Sequence, residues 1–222
     1  MKRINADFMR PSQELIAEYA QQSAATVHEA SGRKGAVFSN IKPAKPGMKV
    51  CGSALPVMLP GGDNLMAHKS LYVARPGDVL VVNNGGVTEF GIWGEVMAVA
   101  AQSVGIAGLV TDGSVRDSDQ MFNLGFPVFC GGVCIKSAAK EGLGFIGYPV
   151  NLRGVVIKPG DIIVDDDDAF RGIDGYMLSG LQHLEGVFIK RDNWNFFAVK
   201  VFANDGSGGQ DGFGSHINNC CR

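Results

Sequence analysis

Apolar and polar positions along this chain alternate in short blocks, and the blocks predict helices and strands in turn. PSQELIAEYA (11–20) reads as a first helix, started at Pro11 or Ser12. A second short helix is expected over Ala24 to Ser31. Gly47 to Leu59 alternates weakly, as a strand does, and PGGDN (60–64) turns the chain into a helix from about Leu65 to Ala74. RPGD (75–78) predicts a turn, followed by a buried strand at Val79 to Val82 and the glycine-rich loop NNGG. Gly94 to Ser103 is small and apolar with hardly any charge, which predicts a helix buried on most sides. Gly105 to Gly108 should turn the chain into a short strand, Leu109 to Thr111, with DGSVRD as the loop after it. A helix at Ser118 to Leu124 and the strand FPVFC follow.

From 130 to 164 the apolar runs are short and broken by glycine. KPGDIIVDDDD (158–168) echoes RPGDVLVVNN (75–84), a basic-Pro-Gly-Asp turn feeding a strand, although six residues are too few to establish a duplication. Strands alternating with helices imply a layered α/β fold with covered sheets. One domain is expected over 1–168, then a divergent C-terminal segment over 169–222 that is flexible from about 204, where GSGGQDGFGSHINNCCR has no periodicity. Within that segment GVFIKR and WNFFAVKVF are apolar enough for strands.

Composition narrows the partners. A net charge of -2 gives no electrostatic case for nucleic acid or for an anionic membrane surface. No apolar run approaches the roughly 18 residues that span a bilayer, and the N-terminal stretch lacks the apolar core of a signal peptide. A cytoplasmic location is therefore expected. The 5 cysteines are odd in number and contain no CxxC pair, and the 4 histidines are scattered. A zinc site is not expected, and reduced, mostly buried thiols are.

Candidate chemistry gathers at two places where strands should meet helix starts. The loop NNGGVTEFGIWGEV carries glycines at 85, 86, 91 and 94, which let a ligand approach the backbone. It ends at the N-terminus of the 94–103 helix, where free N–H groups favour an anion. In DGSVRD, Arg116 is a planar fork suited to a carboxylate, and Asp117 is a hard oxygen ligand suited to Mg2+ or Mn2+. A small anionic substrate between helix amides, guanidinium and metal is one reading. The plainer alternatives are a solvated Arg-Asp pair, a simple glycine turn, Glu95 as a partner of the helix dipole and Glu29 as a helix-surface carboxylate. The four aspartates at 165–168 lack the spacing of a calcium loop and read as a solvated strand end.

Five stretches move this balance: ATVHEASGRKG, LPGGDNLMAH, PGDVLVV, GEVMAVAAQSVGIAGLVTDGSVRD and VVIKPGDIIVDDDD. Together they resemble the RraA-like superfamily, in its branch of 4-hydroxy-4-methyl-2-oxoglutarate / 4-carboxy-4-hydroxy-2-oxoadipate aldolases, over about residues 20 to 168. The spacing of Glu95 to Arg116 and Asp117 is the most specific element. Many members carry aspartate at the first of these positions, and glutamate is longer by one methylene.

The resemblance implies an α/β sandwich of the swivelling-domain type, assembled as a homotrimer or homohexamer with sites between subunits. It implies a lyase of the class II, metal-dependent kind that cleaves an oxo acid to pyruvate, with a part in aromatic-compound degradation. Asp117 would hold the metal, and Arg116 would bind the pyruvyl moiety and its developing enolate oxygen. The amides of Val96 and Met97, next to Gly94, would take the substrate carboxylate. Glu95 would hold a water that delivers a proton, and Glu29 would reach the site from a neighbouring subunit. Oxaloacetate decarboxylation would use the same polarisation. After Asp168 the chain departs from the family pattern, as a reading-frame shift or a branch-specific extension would make it do. The acidic residue that relatives contribute from that region has no counterpart here. RraA proteins proper, which bind and inhibit a ribonuclease, are the non-catalytic alternative.

Overall fold

The computed structural model describes residues 2–166 other than 34 and 38, together with the backbone of 176–178, 183–185 and 200–202. Helix α1 (Gln13–Ala20) starts at Ser12, whose side chain accepts from Leu15 N. Helix α2 (Ala24–Ala30) starts likewise at Ser23, which accepts from Thr26 N. Each serine satisfies one of the N–H groups that a helix start leaves unpaired. Strands β1 (Lys42–Pro43) and β2 (Val50–Met58), α3 (Leu65–Ser70), β3 (Asp78–Asn83), β4 (Gly91–Trp93) and α4 (Glu95–Ser103) follow. Then come β5 (Gly108–Thr111), β6 (Ser114–Val115), α5 (Ser118–Leu124), β7 (Val128–Cys130), β8 (Gly132–Val133) and β9 (Phe145–Ile146). The order closes with β10 (Val150–Leu152), β11 (Val155–Ile157), β12 (Ile162–Asp165), β13 (Tyr176–Leu178), β14 (His183–Glu185) and β15 (Lys200–Phe202).

The main sheet runs β1-β7-β5-β3-β2-β12-β13, with β9 also pairing β2. Its centre, β2, β3, β5 and β7, is parallel. These strands read as near-continuous apolar runs because both faces are covered, and Val79, Leu80, Val81 and Val82 are fully buried. The fold is α/β, as the alternating pattern implied. The two Pro-Gly-Asp turns have one geometry. Gly77 and Gly160 sit at φ 85° and 86°, and Asp78 and Asp161 each accept from the backbone N–H three residues before, both at 2.8 Å. They deliver β3 and β12 to the two sides of β2, one parallel and one antiparallel. Asp78, fully buried, also takes a two-pronged ion pair from Arg10 at 2.7 and 2.8 Å, which fastens the N-terminal segment to the sheet.

Several expectations need correction. Helix α3 stops at Ser70, because the N–H groups of Leu71, Tyr72 and Val73 turn to carbonyls only three residues back. The glycine-rich loop contains β4 and the DGSVRD loop contains β6, which join β8 in a parallel three-stranded sheet. Helix α4 is not buried on most sides. Met97, Ala98 and Ala101 face the core, while Val96 and Val99 are 80% and 48% exposed.

The aspartates at the end of β12 are not a solvated strand end. Asp165 and Asp166 are 2% and 7% exposed. Asp165 pairs with Val50 across the sheet, and Asp166 Oδ2 accepts the N–H of Ala24 at 2.9 Å, the first residue of α2. Asp167 and Asp168 lie outside the described residues. Of the cysteines, Cys130 is buried, and Cys51 and Cys134 are half-buried. Burial pushes the Cys51 thiol up to about 12 and the Cys130 thiol up to about 11, so both stay protonated at neutral pH. Cys220, Cys221 and the tail expected to be flexible from about 204 lie outside the described residues. Among the described residues, no helix is long and apolar enough to cross a membrane.

Candidate active site

The segments that leave β2, β3, β5 and β7 converge beyond the C-terminal edge of the parallel strands, the usual place for a ligand in an open α/β sheet. They enclose a cleft of about 220 Å³. Asn64 and His68 come from the segment after β2, and Gly91 to Gly94, Val96 and Met97 from the segment after β3. Arg116 comes from the segment after β5, and Ser137, Ala138 and Lys140 from the segment after β7.

Arg116 and Asp117 are held differently. Arg116 N donates to Trp93 O at 2.9 Å. Asp117 occupies the left-handed region, φ 57° and ψ 40°, at the start of α5. Aspartate tolerates that region better than most residues, and such a conformation persists where the surroundings over-determine it. Its side chain makes no cap hydrogen bond to its own helix. Instead Oδ2 accepts from Glu95 N at 3.2 Å and lies 3.6 Å from Arg116 Nε.

Gly94 makes this approach feasible. A Cβ there would stand 2.6 Å from Asp117 Oδ2 and 3.0 Å from Arg116 Cγ. Its φ of -159° is ordinary extended backbone, so the requirement is for space and not for torsion. Gly94 also offers α4 no side-chain cap, and the first-turn amides of Val96 and Met97 have no intrahelical acceptors. Those N–H groups and the helix dipole favour an anion beside Arg116.

Of the residues singled out in the sequence, Gly94, Val96, Met97 and Arg116 line the cleft. Asp117 and Glu95 adjoin it through the Glu95 N–H. Glu29 is not brought there within one chain. It lies on α2, exposed and ion-paired with Arg33 at 3.0 Å.

Sequence reasoning assigned no site role to Asn64, His68 or Lys140. Asn64 and His68 are four residues apart at the start of α3, a spacing that places them on one face, and this was the available signal. Asn64 Nδ2 donates to Ile92 O at 2.9 Å. Its Oδ1 is buried and has no partner among the described residues. Burial, then the charge of Lys140, lowers the His68 pKa, so its imidazole is neutral at neutral pH.

Among the described residues, no three of His, Cys, Asp and Glu cluster as a metal cage. The donor set fits a hard cation that takes one protein carboxylate and completes its shell with water and substrate oxygens, the common habit of Mg2+. Asp117, its side chain more than a third exposed beside the cleft, is a carboxylate that could serve such a cation.

The sequence model of the RraA-like family (Aldolase/RraA) matches residues 22–170. The chain belongs to the RraA-like family. A protein of Halalkalibacterium halodurans, named provisionally as a 4-hydroxy-4-methyl-2-oxoglutarate aldolase, is 42% identical over 130 residues, 59% of this chain and 62% of that protein. A 4-hydroxy-4-methyl-2-oxoglutarate aldolase of Thermus thermophilus is 32% identical over 106 residues, 48% of this chain and 65% of that protein. The chain thus spans less than two thirds of either relative. Among solved structures, Streptomyces coelicolor RraAS2, described as an unusual member of the RNase ES inhibitor RraA protein family, superposes with a TM-score of 0.64 at 30% identity. That match covers 76% of this chain and 87% of that one. The RraA-like relatives account for the layered α/β architecture.

Proposed function

We propose that this chain is a divalent-metal-dependent aldolase that cleaves a 4-hydroxy-2-oxo acid, such as 4-hydroxy-4-methyl-2-oxoglutarate or 4-carboxy-4-hydroxy-2-oxoadipate, to pyruvate and a second oxo acid. The observation that carries this reading is the meeting of the Arg116 guanidinium, the open first turn of α4 and the Asp117 carboxylate at one end of the cleft. The amides of Val96 and Met97 take the substrate carboxylate. Arg116 faces the 2-oxo oxygen, where negative charge grows as the C3–C4 bond breaks, and its charge is already in place before that happens. The electron pair of that bond passes into the enolate of pyruvate, the 4-hydroxyl passes its proton to the water that Glu95 holds, and C4 becomes the carbonyl of the departing oxo acid. Glu95 orients the water that returns a proton to C3. A magnesium or manganese ion held by Asp117 would supply Lewis-acid polarisation of the oxo acid.

In this reading Glu29 enters the cleft of a neighbouring subunit after parting from Arg33, in a homotrimer or homohexamer. The exposed Val96 and Val99 on α4 support assembly. Oxaloacetate decarboxylation uses the same groups.

The decisive experiment is pyruvate release from the two oxo acids with Mg2+, with Mn2+ and with chelator. Release that chelator abolishes is expected, and no release from either substrate with either metal would overturn the reading. The 30% identity to RraAS2 favours a second reading, a protein-binding regulator of ribonuclease activity. Inhibition of a ribonuclease by a protein that releases no pyruvate would establish it.

A further inference from the structure

A carboxylate outside the cleft holds two of its walls together. Asp63 is 5% exposed, and its side chain is fully engaged by backbone donors. Oδ1 accepts from Leu65 N at 2.8 Å, in the first turn of α3, the element that carries His68. Oδ2 accepts from Glu141 N at 2.7 Å and Gly142 N at 2.8 Å, directly after Lys140 on the other wall. Main-chain bonds from Asn64 N to Ala139 O and from Ala139 N to Gly62 O, both 2.9 Å, run alongside but end before Lys140. Lys140 is therefore gripped on one side by the backbone and on the other by a single side chain.

Burial acts to raise the Asp63 pKa, but the N–H groups of Leu65, Glu141 and Gly142, with the charge of Lys140, outweigh it and hold the carboxyl below its usual range. The grip also needs a glycine at its far end. A Cβ on Gly142 would lie 2.7 Å from Pro60 Cγ and 3.1 Å from Asp63 Cγ.

We propose that Asp63 is a positioning residue that fixes Lys140 relative to His68 across the cleft, and thereby sets the affinity for the substrate beyond its pyruvyl end. This rests on the aldolase reading above. In that reading Arg116 and α4 take the pyruvyl end, so Lys140 and the neutral His68 are left to face the remaining hydroxyl and carboxylate. Asp63 touches none of the reacting atoms and acts through the wall that it holds.

Asp63→Asn tests this, because every partner of the carboxylate is a donor. The amide must present its NH2 at one of the two oxygen positions, so whichever way it turns one wall is released. Gly142→Ala presses on the same clasp from outside and leaves the carboxylate in place. Three quantities are read: kcat and KM for 4-hydroxy-4-methyl-2-oxoglutarate, exchange of the pyruvate methyl protons with D2O, and hydrogen exchange of amides 139–142. In both variants KM should rise at least about tenfold, with kcat and pyruvate exchange within about threefold of the parent. Amide exchange at 139–142 should accelerate.

An unchanged KM, or a loss of pyruvate exchange as large as the loss of cleavage, would overturn the proposal, and a role confined to stability would move the melting temperature without this split. If the parent neither cleaves nor exchanges, the aldolase reading has failed. The amide exchange then decides the clasp alone, and no acceleration at 139–142 in Asp63→Asn would sink it.

Discussion

The carboxylate of Asp117 accepts a hydrogen bond from the backbone N–H of Glu95 at 3.2 Å, so a residue at the start of α5 caps the start of α4. The bond joins both halves of the candidate site and aims the carboxylate away from its own helix.

Asp117→Asn separates charge from shape. Asparagine tolerates the left-handed backbone and keeps an oxygen for Glu95 N, but it carries no negative charge for a cation. Metal-dependent pyruvate release should fall to near background with an unchanged melting temperature. Retention of more than about a tenth of the rate, a barrier change under about 1.4 kcal/mol, would count against Asp117 as a metal ligand.

Arg116→Lys keeps the charge and loses the planar two-pronged geometry. Its pyruvate release should stay well below that of the parent. Parental kcat and KM in this variant would reduce Arg116 to a general counter-charge.

Two glycines should part company on substitution. At Gly94 an added Cβ strains no torsion but meets Asp117 Oδ2 at 2.6 Å, so Gly94→Ala should cost activity and little stability. At Gly85 nothing lies within 4 Å but φ is 65°, so Gly85→Ala should cost about 1 kcal/mol of stability and leave turnover alone. Parallel kinetic and thermal-melting measurements test the contrast, and a reversed pattern would refute it.

The helices and the central strands were legible because their signals are local. Serine caps mark α1 and α2, and Pro-Gly-Asp turns announce β3 and β12. The junction at Gly94, Arg116 and Asp117 was legible for a similar reason, since each residue sits next to a readable boundary. Strands β4, β6 and β8 were not legible. They are two or three residues long, and β4 and β8 begin at Gly91 and Gly132, so no period develops. Lys140 gave no signal, because its place opposite His68 depends on a clasp between residues 78 and 79 positions apart. The buried Asp165 and Asp166 were misread because four carboxylates in a row look like surface. Pairing of β12 with β2 and the start of α2 take the first two out of water.

That burial has a pH signature. Burial is the main reason that the Asp165 pKa is raised well above the ordinary range, with the neighbouring Asp166 charge adding to it against the Asp166 N–H and Lys42. In the unfolded chain the group ionises near pH 4. Above that point, and up to the raised folded value, the folded state keeps a proton that the unfolded state has lost, so stability falls as pH rises through this window. Asp165→Asn removes that loss. Its melting temperature should exceed that of the parent at neutral pH, and the difference should vanish toward about pH 4. A neutral-pH melting temperature equal to or below the parent's would show that the burial is compensated.

The cleft is built from segments that follow four different parallel strands, and this has a consequence in time. Parallel neighbours cannot close as hairpins, so each pairing waits for a crossover and its loop-closure entropy. A nascent chain can form α3 and α4 early, yet the wall that carries Lys140 comes only after β7 has taken its place between β5 and β1. Recovery of ligand binding after dilution from denaturant should therefore trail recovery of helical signal, and a ribosome-stalled chain ending before residue 137 should hold its helices without a binding cleft.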